Sequence, residues 1–269
     1  MRRLFVIAGG TYVGVCVILG FLQSRLMYFP SRGYPQTPRD VGLAFDDVTL
    51  ETSDGVAIAA WYVPAASPNG SIIFCHGNAG NMADRLGDCA VLSGLGYNVL
   101  MFDYRGYGRS EGKPDEHGTY HDAAAAWAYL AGRRREPAAR IIIFGRSLGG
   151  AVAIELATRH PPAALVVEST FTSMEDIARL HYPFLPVRLL LTYRYDSIAK
   201  VGRIPCPKLF IHATDDELIP LANGRRLFDA AAAPKAFVET PGGHNTGGYA
   251  SAAAYTDRLA AFLDAALAR

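Results

Sequence analysis

The stretch Ile141-Ile142-Ile143-Phe144-Gly145-Arg146-Ser147-Leu148-Gly149-Gly150 constrains this chain more than any other. Its first four residues are bulky and apolar and read as a buried strand, and the Ala-, Ile- and Leu-rich run that follows Ser147 reads as a helix. Only a sharp turn fits between them. Gly145 and Gly149 flank Ser147 at two-residue spacing and leave room for strand and helix to approach closely. Ser147 then sits in a strained backbone state above the C-terminal edge of a sheet, at a helix N-terminus. The backbone N–H of Leu148 points toward charge that develops beside the serine.

The surrounding pattern supplies that sheet. Residues 44–50 and 56–63 flank the turn Ser53-Asp54-Gly55 and form a hairpin. Further strands are predicted over 71–75, 97–103, 140–144, 164–168, 208–212 and 235–239, eight in all. Five of these last six are apolar or nearly so, without strict alternation, as in parallel strands covered on both faces. Helical segments over 82–94, 122–130, 148–159, 222–232 and 250–268 fill most of the gaps. The expected class is α/β, a mostly parallel eight-stranded sheet with helices on both faces. One interval, 170–204, is longer than a crossover needs. Its aromatic and aliphatic residues suit a small lid over an apolar pocket; the alternative is an ordinary helix and loop packed on the sheet.

A serine nucleophile needs a base and an acid that orients it. His244, in Pro241-Gly242-Gly243-His244-Asn245, follows the last strand. Asp216, in His212-Ala213-Thr214-Asp215-Asp216-Glu217, follows the strand before it, and Asp215 is its rival. The order Ser, Asp, His lets each residue leave the C-terminal end of a different strand, so that all three converge. A second oxyanion donor belongs in the loop His76-Gly77-Asn78-Ala79-Gly80-Asn81, and Asn78 is chosen for it; His76 orders the loop. A phosphate cradle there lacks the Lys-Ser/Thr that would complete it.

Other chemistries are not supported. Cys16, Cys75, Cys89 and Cys206 have no C-x-x-C spacing, and the histidines show no metal-ligand pattern, so no metal or cofactor is expected. The net charge is +1, and Arg133-Arg134-Arg135, a solvated helix end, is the single basic run, so no nucleic-acid partner is expected.

The amino terminus has a different solvent. Leu4 to Leu22 is a run of 19 residues without a charge, framed by Arg2, Arg3 and Arg25. As a helix it is about 28 Å long, close to the thickness of bilayer hydrocarbon. No small-x-small cleavage site follows, which favours an uncleaved anchor over a signal peptide. Arg2, Arg3 and the α-amine outweigh Arg25 and Arg32, so the N-terminus is expected in the cytoplasm and the body outside. Tyr28 and Phe29 suit the lipid–water boundary, and Gly10-x-x-x-Gly14 suits weak helix pairing. The expected organisation is an anchor over 1–28, a Pro- and Gly-rich linker over 29–42, and one catalytic domain over 43–269 with its lid at 170–204.

With these motifs together, the chain resembles the alpha/beta-hydrolases. More closely it resembles the Bem46-like group, which includes membrane-anchored serine hydrolases and is similar to the protein depalmitoylases of the ABHD type. The likeness rests on Tyr28-Phe29-Pro30, the 76–81 loop, Asp103-Tyr104-Arg105-Gly106-Tyr107-Gly108-x-Ser110 and Gly145-x-Ser147-x-Gly149. It continues through Glu168-Ser169-x-Phe171-Thr172-Ser173 and His212 with Asp216 to Gly243-His244-Asn245. Ala213 stands where such enzymes usually have glycine. The resemblance implies Asp216, not Asp215, as the acid. It also implies hydrolysis of an acyl ester or thioester, on a small lipid-like substrate or an acylated protein. The same triad would serve a serine peptidase, and a retired fold would serve as a membrane-tethered scaffold; both are kept as alternatives.

Overall fold

The computed structural model describes residues 2–247 and 252–268. Eight strands form the main sheet: β1 (Asp46–Glu51), β2 (Ala57–Val63), β3 (Ser71–Cys75), β4 (Asn98–Phe102), β5 (Ile141–Arg146), β6 (Ala164–Glu168), β7 (Lys208–Ala213) and β8 (Lys235–Thr240). Their order is β8-β7-β6-β5-β3-β4-β2-β1. The β1–β2 and β2–β4 pairs are antiparallel, and every other neighbour is parallel. The chain thus has the mixed, mostly parallel sheet expected of it.

The apolar runs explain the layering. Strand side chains alternate between faces, so a strand apolar throughout must be covered twice. Ile73, Ile141 and Ile143 pack on one face with Ala123 and Trp127 of α3 (Glu116–Ala128) and Val152 of α4 (Leu148–Arg159). Ile72, Ile142 and Phe144 pack on the other with Leu86 and Leu92 of α2 (Leu86–Gly94) and Leu263 of α9 (Ala252–Leu267). β8 at the sheet edge keeps an alternating, half-exposed pattern. Residues 250 and 251, predicted as the start of the last helix, lie outside the described residues.

Two elements depart from the expectation at their ends. The first crossover starts as a 3-10 turn, Met82–Arg85, capped by Asn81, whose side chain accepts from the Ala83 N–H at 2.9 Å. α3 starts six residues earlier than predicted (at Glu116 rather than Asp122), because Asp115 caps it by accepting from the Gly118 N–H at 2.8 Å. It closes in a widened turn over Tyr129–Arg133.

The 170–204 interval contains three short helices, α5 (Met174–His181), α6 (Val187–Leu190) and α7 (Ile198–Val201); α8 (Leu221–Ala230) follows β7. At the amino terminus, α1 runs over Arg2–Met27, and its Phe5–Met27 stretch is long and apolar enough to cross a membrane by length and composition. The 29–42 stretch is stitched to the body: Phe29–Pro30 pairs with Ala79–Gly80, and the Ser31 N–H donates to Gly80 O at 2.9 Å. Tyr28 is a correction. It is buried, not at a lipid boundary, with its hydroxyl 2.7 Å from that of Tyr195 and its ring edge-on to Tyr193.

Candidate active site

Ser147 ends the turn from β5 to α4 with φ 54° and ψ −122°, a backbone state that side chains other than glycine rarely adopt. The flanking glycines make this turn physically allowed. A Cβ on Gly149 would lie 2.0 Å from Cys75 O, and one on Gly145 2.2 Å from Gly149 O. Both contacts are with backbone, which cannot step aside.

The loops after β7 and β8 bring Asp216 and His244 to this turn. His244 Nδ1 lies 2.8 Å from Asp216 Oδ2, and its Nε2 lies 3.0 Å from Ser147 Oγ. A carboxylate only accepts, so Nδ1 carries the proton and Nε2 is left to accept from the Ser147 hydroxyl. Asp216 Oδ1 accepts from the Leu218 and Ile219 N–H groups at 3.0 and 2.7 Å. Burial pushes the Asp216 carboxyl up, but the hydrogen bonds from His244 and Ile219 outweigh it and hold the group below its ordinary value. Asp215, by contrast, is exposed and accepts from the Gly242 N–H at 3.4 Å. His212, at the end of β7, donates from Nε2 to Ile219 O at 2.8 Å, and burial lowers its pKa.

Several residues frame His244 through contacts that the sequence did not announce. Its N–H donates to Glu217 Oε2 at 3.1 Å, and its carbonyl accepts from Arg146 Nη2 at 3.1 Å. Arg146 is held in turn by Glu168 on the neighbouring strand at 3.5 Å and by Asp88 of α2 at 3.6 Å. Glu168 accepts from the Tyr255 hydroxyl at 2.7 Å, and burial raises its pKa. The x of Gly-x-Ser-x-Gly is therefore a strut under His244.

Asn78 and Leu148 both border the serine. Tyr107, from the Asp103–Ser110 motif, donates its hydroxyl to Asn78 O at 2.7 Å, with Asn78 Oδ1 at 3.1 Å. The Asn78 side-chain amide donates to Met27 O, the last carbonyl of α1. His76 is buried, donates from Nδ1 to Gly77 O at 2.7 Å and packs on the Tyr104 ring. The loop that carries Asn78 is thus braced from both sides.

Above Ser147 opens a cavity of about 650 Å³. Met174, Ile177, Phe184 and Leu190 of the 170–204 interval form one wall, and Leu19 and Leu26 of α1 form another. The α1 wall was not anticipated. Arg85 and Arg146 also border the space, and no aspartate or glutamate is among its described lining residues. Arg85 donates from Nη2 to Ala79 O at 2.9 Å, while its Nε is buried with no hydrogen-bond partner among the described residues. Among the described residues no group of three or more His, Cys, Asp or Glu is arranged to hold a metal ion.

Known proteins share both the sequence and the shape. Residues 66–191 match the family described as serine aminopeptidase, S33. An uncharacterised protein of Mycobacterium tuberculosis is 44% identical over 86% of this chain and 84% of its own length. The alpha/beta hydrolase domain-containing protein WAV2 of Arabidopsis thaliana is 36% identical over 90% of this chain and 87% of its own. The lysophosphatidylserine lipase ABHD12 of Danio rerio is 32% identical over 87% and 74%. Among solved structures, a Pyrococcus furiosus esterase, Pf2001, superposes with a TM-score of 0.75 over 90% of this chain and 98% of its own, at 21% identity, which speaks to the fold alone.

Proposed function

The chain belongs to the alpha/beta-hydrolases of the ABHD type, and on that premise we propose that it is a membrane-anchored serine hydrolase cleaving long-chain acyl esters or thioesters. The observation that carries this reading is the hydrogen-bonded chain Asp216–His244–Ser147 at the floor of a largely apolar cavity. His244 Nε2 takes the Ser147 proton as Oγ attacks the acyl carbonyl. The Leu148 and Asn78 backbone N–H groups receive the oxyanion, and Tyr107 holds the Asn78 loop in place for it. Protonated His244, steadied by Asp216, gives its proton to the leaving alcohol or thiol, and the acyl-enzyme forms. Water then gives a proton to His244 as its oxygen attacks the same carbonyl. Ser147 Oγ leaves and regains that proton, and the free acid departs.

The cavity's chemistry favours an ester over a peptide with a free amine. A cationic amine needs a carboxylate partner, and the described lining offers Arg85 and Arg146 instead. Its volume is within the range of small-molecule sites, about 300–1,000 Å³, and its aliphatic walls suit a hydrocarbon chain. The likeness to a lysophosphatidylserine lipase supports a single-chain lipid ester. A scaffold without activity would have no need of an ordered Ser147–His244–Asp216 chain.

The test is a series of p-nitrophenyl esters from acetyl to palmitoyl, with a palmitoyl thioester beside them, on wild type and Ser147→Ala. Wild type is expected to prefer the longer esters, and Ser147→Ala to lose turnover and fluorophosphonate labelling while keeping its melting temperature. Turnover retained in Ser147→Ala would overturn the proposed nucleophile. A thioester preferred over every oxygen ester would point to S-acylated protein as the substrate.

A further inference from the structure

Three hydrogen bonds fasten the 170–204 interval along α1. Tyr12 donates its hydroxyl to Phe184 O at 2.8 Å. Eleven residues further on, Gln23 donates to Leu190 O at 3.2 Å and accepts from the Thr192 N–H at 2.9 Å. At about 1.5 Å per residue, Tyr12 and Gln23 are roughly 16 Å apart along the helix. The cap therefore lies beside the membrane-length stretch of α1, not below it. A bilayer drawn to leave Phe184 in water would keep only Phe5–Thr11 in lipid, about 10 Å of helix where roughly 30 Å of hydrocarbon must be crossed.

The cap surface agrees with that placement. Leu189 is 85% exposed and Phe184 69%, with Tyr182 and Leu180 each about half exposed. One charge, Arg188, interrupts the 182–191 stretch, and its long stem can carry the guanidinium to the headgroups; the charges of α5, Glu175, Asp176 and Arg179, precede this stretch, and Arg179 pairs with Glu175 outside the embedded part. Inside, Leu19 and Leu26 of α1 face Ile177, Phe184 and Leu190 across the cavity, which reaches down to Ser147.

We propose that the 180–191 stretch of the cap is embedded in one leaflet beside α1, so that the cavity opens sideways into hydrocarbon and receives a single-chain acyl lipid from that leaflet instead of from water. This rests on Ser147 as the nucleophile and α1 as the anchor. The anchor is then part of the substrate site and not only a tether. A lipid admitted this way keeps its chain in apolar surroundings throughout, while its ester reaches the polar floor formed by Ser147, Asn78 and Arg85.

The experiment uses full-length protein in phosphatidylcholine vesicles and two readouts. A nitroxide at Leu189→Cys is compared with one at Ser67→Cys, in the exposed loop before β3. The Leu189 label is expected to be relaxed by oxygen and shielded from an aqueous nickel chelate, and the Ser67 label the reverse. Equal aqueous access at both sites would overturn the proposal whatever the catalytic residues are. The second readout is labelling of Ser147 in Leu180→Glu/Leu189→Glu, two positions outside the cavity lining. Labelling by hexadecyl fluorophosphonate supplied in the vesicles is expected to fall about tenfold or more, since a carboxylate resists transfer into hydrocarbon. Labelling by ethyl fluorophosphonate from solution is expected to stay at the wild-type rate. An unchanged hexadecyl rate would overturn lateral access. Failure of ethyl fluorophosphonate to label wild type would instead strike the catalytic reading, leaving the nitroxide depths to decide the cap.

Discussion

At the scale of single residues, Ser147 trades backbone ease for exposure of its hydroxyl. A non-glycine residue held in a sparsely populated region costs on the order of 1–3 kcal/mol, and Ser147, at φ 54° and ψ −122°, is such a residue. Alanine keeps the strain and glycine releases it. Ser147→Gly is therefore expected to melt above Ser147→Ala, by roughly 2–4 °C for each kcal/mol of strain released. Calorimetry of the two proteins in the same detergent checks this, and a glycine variant that melts at or below the alanine one would remove the strain argument. Much at this scale was legible in the chain. Gly145 and Gly149 announced the close approach because no other residue fits against Cys75 O and Gly149 O. The choice between Asp215 and Asp216 was not legible from spacing. Neighbours in sequence point opposite ways, and only the fold shows which one meets His244; there the resemblance supplied what residue chemistry left open. Arg146 and Glu168 stood in recognised motifs, but their pairing stayed hidden for a similar reason: it depends on the β5–β6 register, which aligns one directly with the other.

Elements were legible where burial imposes a pattern and obscure where a polar tie crosses the fold. The eight strands read correctly because parallel strands covered twice are apolar throughout. The tie among the hairpin, α3 and the Asp103–Ser110 motif left no such pattern. Arg105 donates from Nε to Asp122 Oδ1 at 3.0 Å and from Nη1 and Nη2 to Asp54 at 2.7 and 3.0 Å. Asp122 lies in α3 and Asp54 in the β1–β2 turn, 68 residues apart in sequence but joined through one guanidinium. Because the Arg105 and Asp122 side chains are both almost wholly buried, removing one leaves the other short of a partner. Asp122→Ala is expected to cost about 3 kcal/mol or more, within the range for breaking a buried pair. The double variant Arg105→Met/Asp122→Leu is expected to regain part of it, since the pair's desolvation penalty goes with the pair. Denaturant unfolding in detergent measures both, and a loss under about 1 kcal/mol for Asp122→Ala would demote the tie to a surface ion pair. Because the same motif loop carries Tyr107, the Asp122 variant is also expected to lower turnover more than it raises KM.

At the scale of the molecule, hydropathy separated an apolar N-terminal helix from a body but was blind to their contact. A window of apolar residues reports which solvent a helix tolerates. It does not report that Gln23 will meet Leu190 or that Met27 O will hold Asn78, contacts made across more than 50 residues of chain. The proposed orientation rests on charge. Arg2 and Arg3 lie at one end of α1, while at the other Arg25 is exposed and Arg32 donates to Ser110 O at 2.7 Å on the body. On the proposed reading that imbalance favours a cytoplasmic N-terminus, with the body on the far side and the cap in the outer leaflet. Labelling of an introduced cysteine checks this with little background. Cys16, Cys75, Cys89 and Cys206 are all free and buried, and burial pushes the thiols of Cys89 and Cys206 up to about 12 and about 11. Ser67→Cys lies in an exposed loop at the sheet edge opposite Ser147. In intact cells it is expected to react with a membrane-impermeant maleimide, and permeabilisation is expected to add little. Reaction only after permeabilisation would turn the molecule over. The cap would then draw its lipid from the cytoplasmic leaflet, while the lateral opening, which depends on α1 and the cap alone, would be unaffected.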